Sequence, residues 1–264
     1  MALVPFPGSQ VGAAARPLPE EDDEAPGGQM SFLEHLDELR KRIVHSLLAI
    51  LVGILVGFAF INRIGDFLLG PTRRLLPEGS KLIYTQPGEA FGFNVQIALI
   101  SGVVLAAPFI MYEVWLFIAP GLYSKEKKLA IPFVLMSTTG FIAGALFNHY
   151  IVFVWMMKFF ASFNTPDLVF LPRLDDVFDL YTKMLLGMGV VFQMPTVVYF
   201  MAKMRMITAG FLLRSFKYAL LLIFVAAAVI TPSGDMVTQT IFAAPMIGLY
   251  LLSIVIAWMV QPKS

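Results

Sequence analysis

The sequence predicts an all-α integral membrane protein with six transmembrane helices, several of them proline-kinked, and an amphipathic cytoplasmic helix at the N-terminal end. Three observations lead there. Of the 264 residues, 58% are hydrophobic and only 14% charged, against roughly a quarter charged in ordinary globular chains. Too little polar surface remains to coat a water-soluble globule, so the bilayer must solvate most of the chain. Stretches almost free of Asp, Glu, Lys and Arg recur along the sequence, most of them close to the roughly 20 residues that cross a hydrocarbon core.

Residues 1–29 stand apart from this pattern. They carry five prolines and the acidic run Glu20, Glu21, Asp22, Asp23 and Glu24 without apolar periodicity, the composition of a disordered tail. No basic segment followed by an apolar core and a cleavage site is present, so the tail does not read as a secretory signal, and Met30 is an alternative start. Residues 30–264 form the membrane domain. It opens on Ser31-Phe32-Leu33-Glu34, a capping-box pattern, after which Phe32, Leu36, Leu39 and Ile43 fall on one helix face among charged residues.

The first span covers residues 43–61, nineteen positions without a formal charge. Residues 90–118, interrupted only by Glu113, give the second; residues 129–157, 184–202, 218–234 and 236–260 give the rest. The turn Thr231-Pro232-Ser233-Gly234-Asp235 separates the last two, because Pro and Gly are poorly tolerated inside one continuous helix. The fifth span is short. Residues 219–231 make about 20 Å of helix against a core of about 30 Å, so snorkelling of Arg214 and Lys217 or local thinning of the bilayer is needed. Pro108, Pro132, Pro195 and Pro245 fall inside four spans and are expected to bend them.

An even number of spans puts both termini on one side, and twelve of the nineteen Lys and Arg lie there, clustered beside spans one, three and five. Both termini are therefore expected to be cytoplasmic. On the outer side, residues 168–181 mix Val169, Phe170, Leu174, Val177, Phe178 and Tyr181 with Asp175, Asp176 and Asp179, the pattern of a helix lying on the outer surface.

A net charge of +1 offers no field for nucleic acid. With no cysteine and three histidines, disulfides, thiolate metal sites and a Cys nucleophile are excluded, and no metal or cofactor is expected. No P-loop, dinucleotide fingerprint or serine elbow is present, so no catalytic residue is assigned and no enzyme activity is expected. Charge is densest at Glu34, His35, Asp37, Glu38, Arg40, Lys41 and Arg42. There Asp37–Lys41 and Glu38–Arg42 stand at i, i+4, which by itself describes a paired, solvated helix face and a positive-inside anchor. Glu126, among Lys125, Lys127 and Lys128, reads the same way alone. Together, Glu38 and Glu126 are two cytoplasmic carboxylates suited to holding guanidinium groups through bidentate, charge-assisted hydrogen bonds.

Polar groups at membrane depth are Glu113, near the inner end of span two, and Gln193, just before Met194-Pro195 in span four. Glu113 reads equally as an interfacial carboxyl reaching water, and Gln193 as cover for carbonyls released by Pro195. Asp235 is placed to cap the sixth span. Beside it, Thr231, Thr238 and Gln239 face a neighbouring helix or a second protein.

The segment Phe32-Leu33-Glu34-His35-Leu36-Asp37-Glu38-Leu39-Arg40-Lys41-Arg42 resembles the N-terminal motif of the TatC family, the multispanning receptor subunit of the twin-arginine protein translocase. Further segments resemble the family in order: Pro71, Ala107-Pro108, Tyr112-Glu113-Val114-Trp115-Leu116-Phe117-Ile118-Ala119-Pro120-Gly121-Leu122-Tyr123 with Glu126, Phe192-Gln193-Met194-Pro195, and residues 231–239. The resemblance runs from Ser31 to the C-terminus. It implies six helices in the bacterial cytoplasmic (inner) membrane, recognition of twin-arginine signal peptides on folded cargo, and transport driven by the proton motive force without ATP. Glu38 and Glu126 match the receptor carboxylates, with Arg40 and Phe117 matching neighbours of that site and Glu113 grouped with them; Pro71 and Pro108 match structural positions.

The resemblance also implies partnership with the single-span subunits TatA and TatB through spans five and six, which makes Thr231, Thr238 and Gln239 the partner-site candidates. Homo-oligomerisation within the receptor complex and contact with membrane lipid are implied as well. Two departures stand out: many relatives carry Glu where this chain has Gln193, and the turn Pro232-Ser233-Gly234-Asp235 is one residue longer than the common form. The rival reading is a small-molecule secondary carrier, whose signature is two repeated halves with paired broken helices about a charged midplane site. No such repeat is found in the sequence.

Overall fold

The computed structural model describes residues 32–74, 82–118, 130–165, 167, 169–231 and 235–260. Among them are ten α-helices and one π-helical turn. Helix α1 (Phe32–Ala59) is one element of 28 residues, so the amphipathic segment is its first turns, continuous with the first span. After a break at Phe60, α2 (Ile61–Arg73) carries Pro71 inside it, and α3 (Glu89–Ile118) carries Pro108. Helix α4 (Ala130–Phe147), the π-helical turn Asn148–Val152 and α5 (Phe153–Ala161) form a continuous rod. Helices α6 (Leu174–Val191) and α7 (Met194–Lys203) share a second rod broken at residues 192–193. The chain closes with α8 (Ala209–Arg214), α9 (Phe216–Ile230) and α10 (Met236–Val260).

Five of these rods are long and apolar enough to cross a membrane: Leu33–Ala59, Glu89–Ile118, Ile131–Ala161, Leu174–Lys203 and Met236–Val260. The expected fifth span is α9, whose 15 residues reach only about 22 Å. Its shortness is the one anticipated from sequence.

The prolines behave less uniformly than expected. Pro132 is the third described residue of α4, and Pro195 is the second residue of α7, directly beyond the break. All four lie inside spanning rods, as expected; Pro108 and Pro245 sit in helix interiors, and Pro195 directly follows the break at residues 192–193, the interruption a proline imposes. The expected surface helix is also corrected. Residues 174–181 are the first two turns of α6, because the apolar stripe Val177, Phe178, Tyr181 continues into Met184, Leu185 and Met188, all buried. The helix therefore stands in the bundle instead of lying on it, with Phe178 edge-on to Phe93 of α3 at 5.0 Å. Asp175 and Asp176 fall in its first turn, where the helix dipole favours negative charge.

At this end of the bundle Glu89 ties α3 to α6. Its buried carboxylate accepts N–H groups from Thr85 at 2.9 Å, Gln86 at 3.2 Å and Asp175 at 3.3 Å, and faces Arg173 at 3.6 Å. Nearby, the His149 ring of the π-helical turn stacks on Phe67 of α2 at 4.0 Å and shares a 3.0 Å hydrogen bond with the Tyr181 hydroxyl. Helix α2 is thereby fixed against α6. The core is centred on Phe153, Met156, Phe178, Tyr181, Met184 and Phe242, all essentially inaccessible.

Helix α1 sits at the edge and packs along α3. Lipid tails are as apolar as Leu, so helices in a bilayer associate through close van der Waals fit, which small residues permit. A Cβ on Gly53 would lie 2.6 Å from the Gly102 carbonyl oxygen, and one on Gly102 would lie 2.6 Å from Ile54 Cγ1 and 2.9 Å from the Ile54 nitrogen. Gly102→Val must therefore push α1 away from α3, and a loss of about 1–3 kcal/mol is expected when unfolding is followed in detergent. Gly70→Ala, where nothing lies within 4 Å of the added Cβ, leaves stability unchanged or slightly raised.

Candidate functional site

On α1, His35, Glu38, Arg42 and His45 recur at spacings of three and four, so they share one face. That face meets the last turns of α3. Arg42 forks between two carboxylates: Nη1 donates to Glu113 Oε2 at 3.2 Å, and Nη2 donates to Glu38 Oε1 at 3.0 Å. His45 Nδ1 lies 3.4 Å from the other oxygen of Glu113. One turn towards the chain start, His35 stacks on Phe117 with ring centroids 4.4 Å apart. Glu113 is only 4% exposed. Glu38 Oε2 and Arg42 Nε are shielded from solvent and have no hydrogen-bond partner among the described residues.

Two local devices hold this arrangement. The close approach of Gly53 and Gly102 sets the separation of α1 and α3, while Trp115 anchors the end of α3. Its buried indole packs on Phe133 of α4 at 5.0 Å and on Phe200 of α7 at 6.2 Å, with those two rings 5.2 Å apart. Because Trp115 and Glu113 stand two residues apart, they point to different sides of α3. Fixing one side fixes the other.

Of the residues singled out from sequence, Glu38, Glu113 and Phe117 come together. Arg40 is exposed and, two residues from Glu38, projects from the opposite side of α1. Glu126 lies outside the described residues. Asp37 and Lys41 are exposed, and among the described residues neither makes an ion pair, so the expected Asp37–Lys41 pairing is absent. Glu113 is a buried, paired group and not a carboxyl reaching water. Arg42 and His45 are the members that sequence reasoning missed. The available signal was their placement four and seven residues after Glu38, on the same face.

Elsewhere, Gln193 Nε2 donates to the Ser137 carbonyl of α4 at 2.9 Å and to Gly189 at 3.4 Å. At the break the Gln193 N–H bonds Val190 instead, so the side chain covers the carbonyl that the backbone leaves open. Pro71 is buried in α2, and Pro108 lies within α3. Asp235 accepts the Thr238 N–H at 2.8 Å and its hydroxyl at 2.7 Å, capping α10. Thr231 and Thr238 are buried. The Thr231 hydroxyl donates to Ala227 at 2.8 Å, and Gln239 Nε2 reaches the Phe224 carbonyl of α9 at 2.7 Å.

Fold and site together define a polytopic helical membrane protein carrying a shielded carboxylate cluster at one end of its bundle. The family model for the Sec-independent protein translocase protein TatC matches residues 34–245. The Sec-independent protein translocase protein TatC of Koribacter versatilis (strain Ellin345) is 40% identical over 240 residues, 89% of this chain and 88% of that protein. Its namesake in Desulforapulum autotrophicum is 39% identical over 238 residues, 90% and 86% respectively. A crystal structure of the twin-arginine translocase receptor TatC matches with a TM-score of 0.77 at 35% identity, covering 86% of this chain and 99% of that one. The chain belongs to the TatC family.

The supports of the site rank by how much each buries. Trp115→Ala is expected to lower stability by about 3–5 kcal/mol, whereas Gln193→Leu, which removes hydrogen bonds within the bundle, costs about 1 kcal/mol. Unfolding of both variants in the same detergent checks that order.

Proposed function

We propose that this chain is the signal-peptide receptor and core subunit of a twin-arginine translocase, exporting folded proteins across the bacterial cytoplasmic membrane at the expense of the proton motive force. The observation that carries this reading is the carboxylate cluster. Glu38 presents a shielded oxygen with no donor, which a guanidinium of a twin-arginine signal satisfies with a charge-assisted hydrogen bond. Glu126, eight residues beyond Ile118 in the sequence, serves as the second carboxylate. Phe117, stacked on His35, borders the site.

In this reading the chain crosses six times with both termini cytoplasmic. Helix α9 provides the fifth crossing, with Arg214 and Lys217 snorkelling to the interface. TatA and TatB dock along α9 and α10, where Leu221, Leu222, Val225, Val229, Met236 and Val237 are exposed. Thr231, Thr238 and Gln239 shape that surface through the hydrogen bonds that hold the hairpin, and further copies of the chain and lipid complete the receptor complex.

The test is binding of the purified chain to a twin-arginine signal peptide and to its Lys-Lys counterpart, repeated with Glu38→Ala combined with Glu126→Ala. The arginine peptide is expected to bind about tenfold tighter or more, because an ammonium cannot reproduce the planar fork. The double variant loses that preference. Equal binding of both peptides by the unaltered chain sinks the receptor reading.

A further inference from the structure

The cluster holds two carboxylates on one guanidinium, with His45 beside Glu113. We infer that Arg42 is a positioning residue for the receptor site: it locks Glu38 against Glu113 and holds the free oxygen of Glu38 in one place for an incoming guanidinium. The inference rests on the receptor reading above and adds a residue to its machinery.

The geometry of the fork carries it. An arginine that only balanced Glu38 would place both Nη groups on that carboxylate, the favoured bidentate arrangement. Arg42 instead sends one Nη to each of two carboxylates, at 3.0 Å and 3.2 Å. Arg42 leaves the second oxygen of each, and the two oxygens meet different fates: Glu113 Oε1 has His45 Nδ1 at 3.4 Å, while Glu38 Oε2 has no partner among the described residues. The Glu113 side chain is 5% exposed and that of Glu38 12%, so water does not freely replace the missing donor. A shielded carboxylate oxygen without a partner is rare and costly in a folded protein. Here it is held in place by a neighbour that is itself anchored on another helix.

The anchoring matters because a glutamate on a helix surface rotates freely about three bonds. Tied through Arg42 to Glu113, whose helix is fixed by Trp115, Glu38 keeps one orientation before the ligand arrives. That pre-organisation favours ligands able to make directed, planar hydrogen bonds over diffuse cations. Selectivity, more than affinity, is therefore what Arg42 supplies.

Charge alone and positioning predict opposite signs for one substitution. Arg42→Gln makes the cluster more negative, so a purely electrostatic site then binds cationic peptides more tightly. If Arg42 positions Glu38, affinity for the twin-arginine peptide falls about tenfold or more, and the ratio of Arg-Arg to Lys-Lys affinity drops towards one. Arg42→Lys also lowers the ratio, since an ammonium lacks the two fixed Nη directions. Lys41→Gln removes the same charge from an exposed neighbour that makes no ion pair and keeps the ratio of the unaltered chain.

The measurement is fluorescence anisotropy of labelled twin-arginine and Lys-Lys peptides on the full chain in lipid nanodiscs, with titration stoichiometry reporting the folded fraction. Unchanged or tighter arginine binding in Arg42→Gln overturns the inference while leaving the receptor reading intact. So does an equal loss for both peptides with the ratio preserved, which marks Arg42 as merely structural. Absence of arginine preference in the unaltered chain overturns the receptor reading and this inference with it.

Discussion

The contact between α1 and α3 sets the geometry of the site end of this molecule. Helix α1 lies at the bundle edge and has little other packing, so its position is set by how closely its backbone approaches α3 around Gly53 and Gly102. That approach brings Arg42 within reach of Glu113. Burying an ion pair is weak evidence for stability, because desolvation offsets the attraction. What a buried pair does specify is arrangement: once Glu113 is shielded, no group other than a donor from α1 satisfies it, and the rotation of α1 about its own axis is fixed.

The two ends of the bundle handle buried carboxylates in opposite ways. Glu89 is surrounded by three backbone N–H groups and Arg173, so its charge is met locally and it staples α3 to α6. Glu38 is supplied with one donor and left with an open, shielded oxygen. A group that only holds the fold together has reason to be saturated. Glu38 Oε2 is the one carboxylate oxygen among the shielded side-chain atoms of the described residues that lack a partner, and in the receptor reading proposed above it is there that a ligand completes the bonding.

Much of this was legible in the sequence. Uncharged stretches located the long rods, since a helix in lipid must satisfy its own backbone and needs about 20 residues to cross, and the shortness of α9 was visible as a count. The site was legible only in part. The Glu38–Arg42 spacing is fully explained by a local helix pair, so nothing pointed Arg42 towards a third group 71 positions away. The surface helix expected over residues 168–181 is instead the start of α6 from Leu174, because acidic residues among apolar ones look alike on a surface helix and on the exposed first turns of a standing one. The stripe through Met184 and Met188 distinguishes them. Sequence locates a proline within an apolar stretch but not its position in a helix: Pro195 follows a real break between α6 and α7, whereas Pro132 is only the third described residue of α4.

Gln193 shows how the same rules operate away from charge. The break between α6 and α7 frees backbone carbonyls inside the bundle, where each must find a donor. An amide supplies that donor at any pH, whereas a carboxylate does so only when it holds a proton. With Gln193 bonded to Ser137 and Gly189, the break is held to α4 without introducing a charge at depth. The buried carboxylates of the described bundle thus lie at its ends, Glu89 met by three N–H groups and Arg173 at one and Glu38 supplied with one donor at the other, while the core between Phe153, Tyr181 and Phe242 keeps the two in fixed relation.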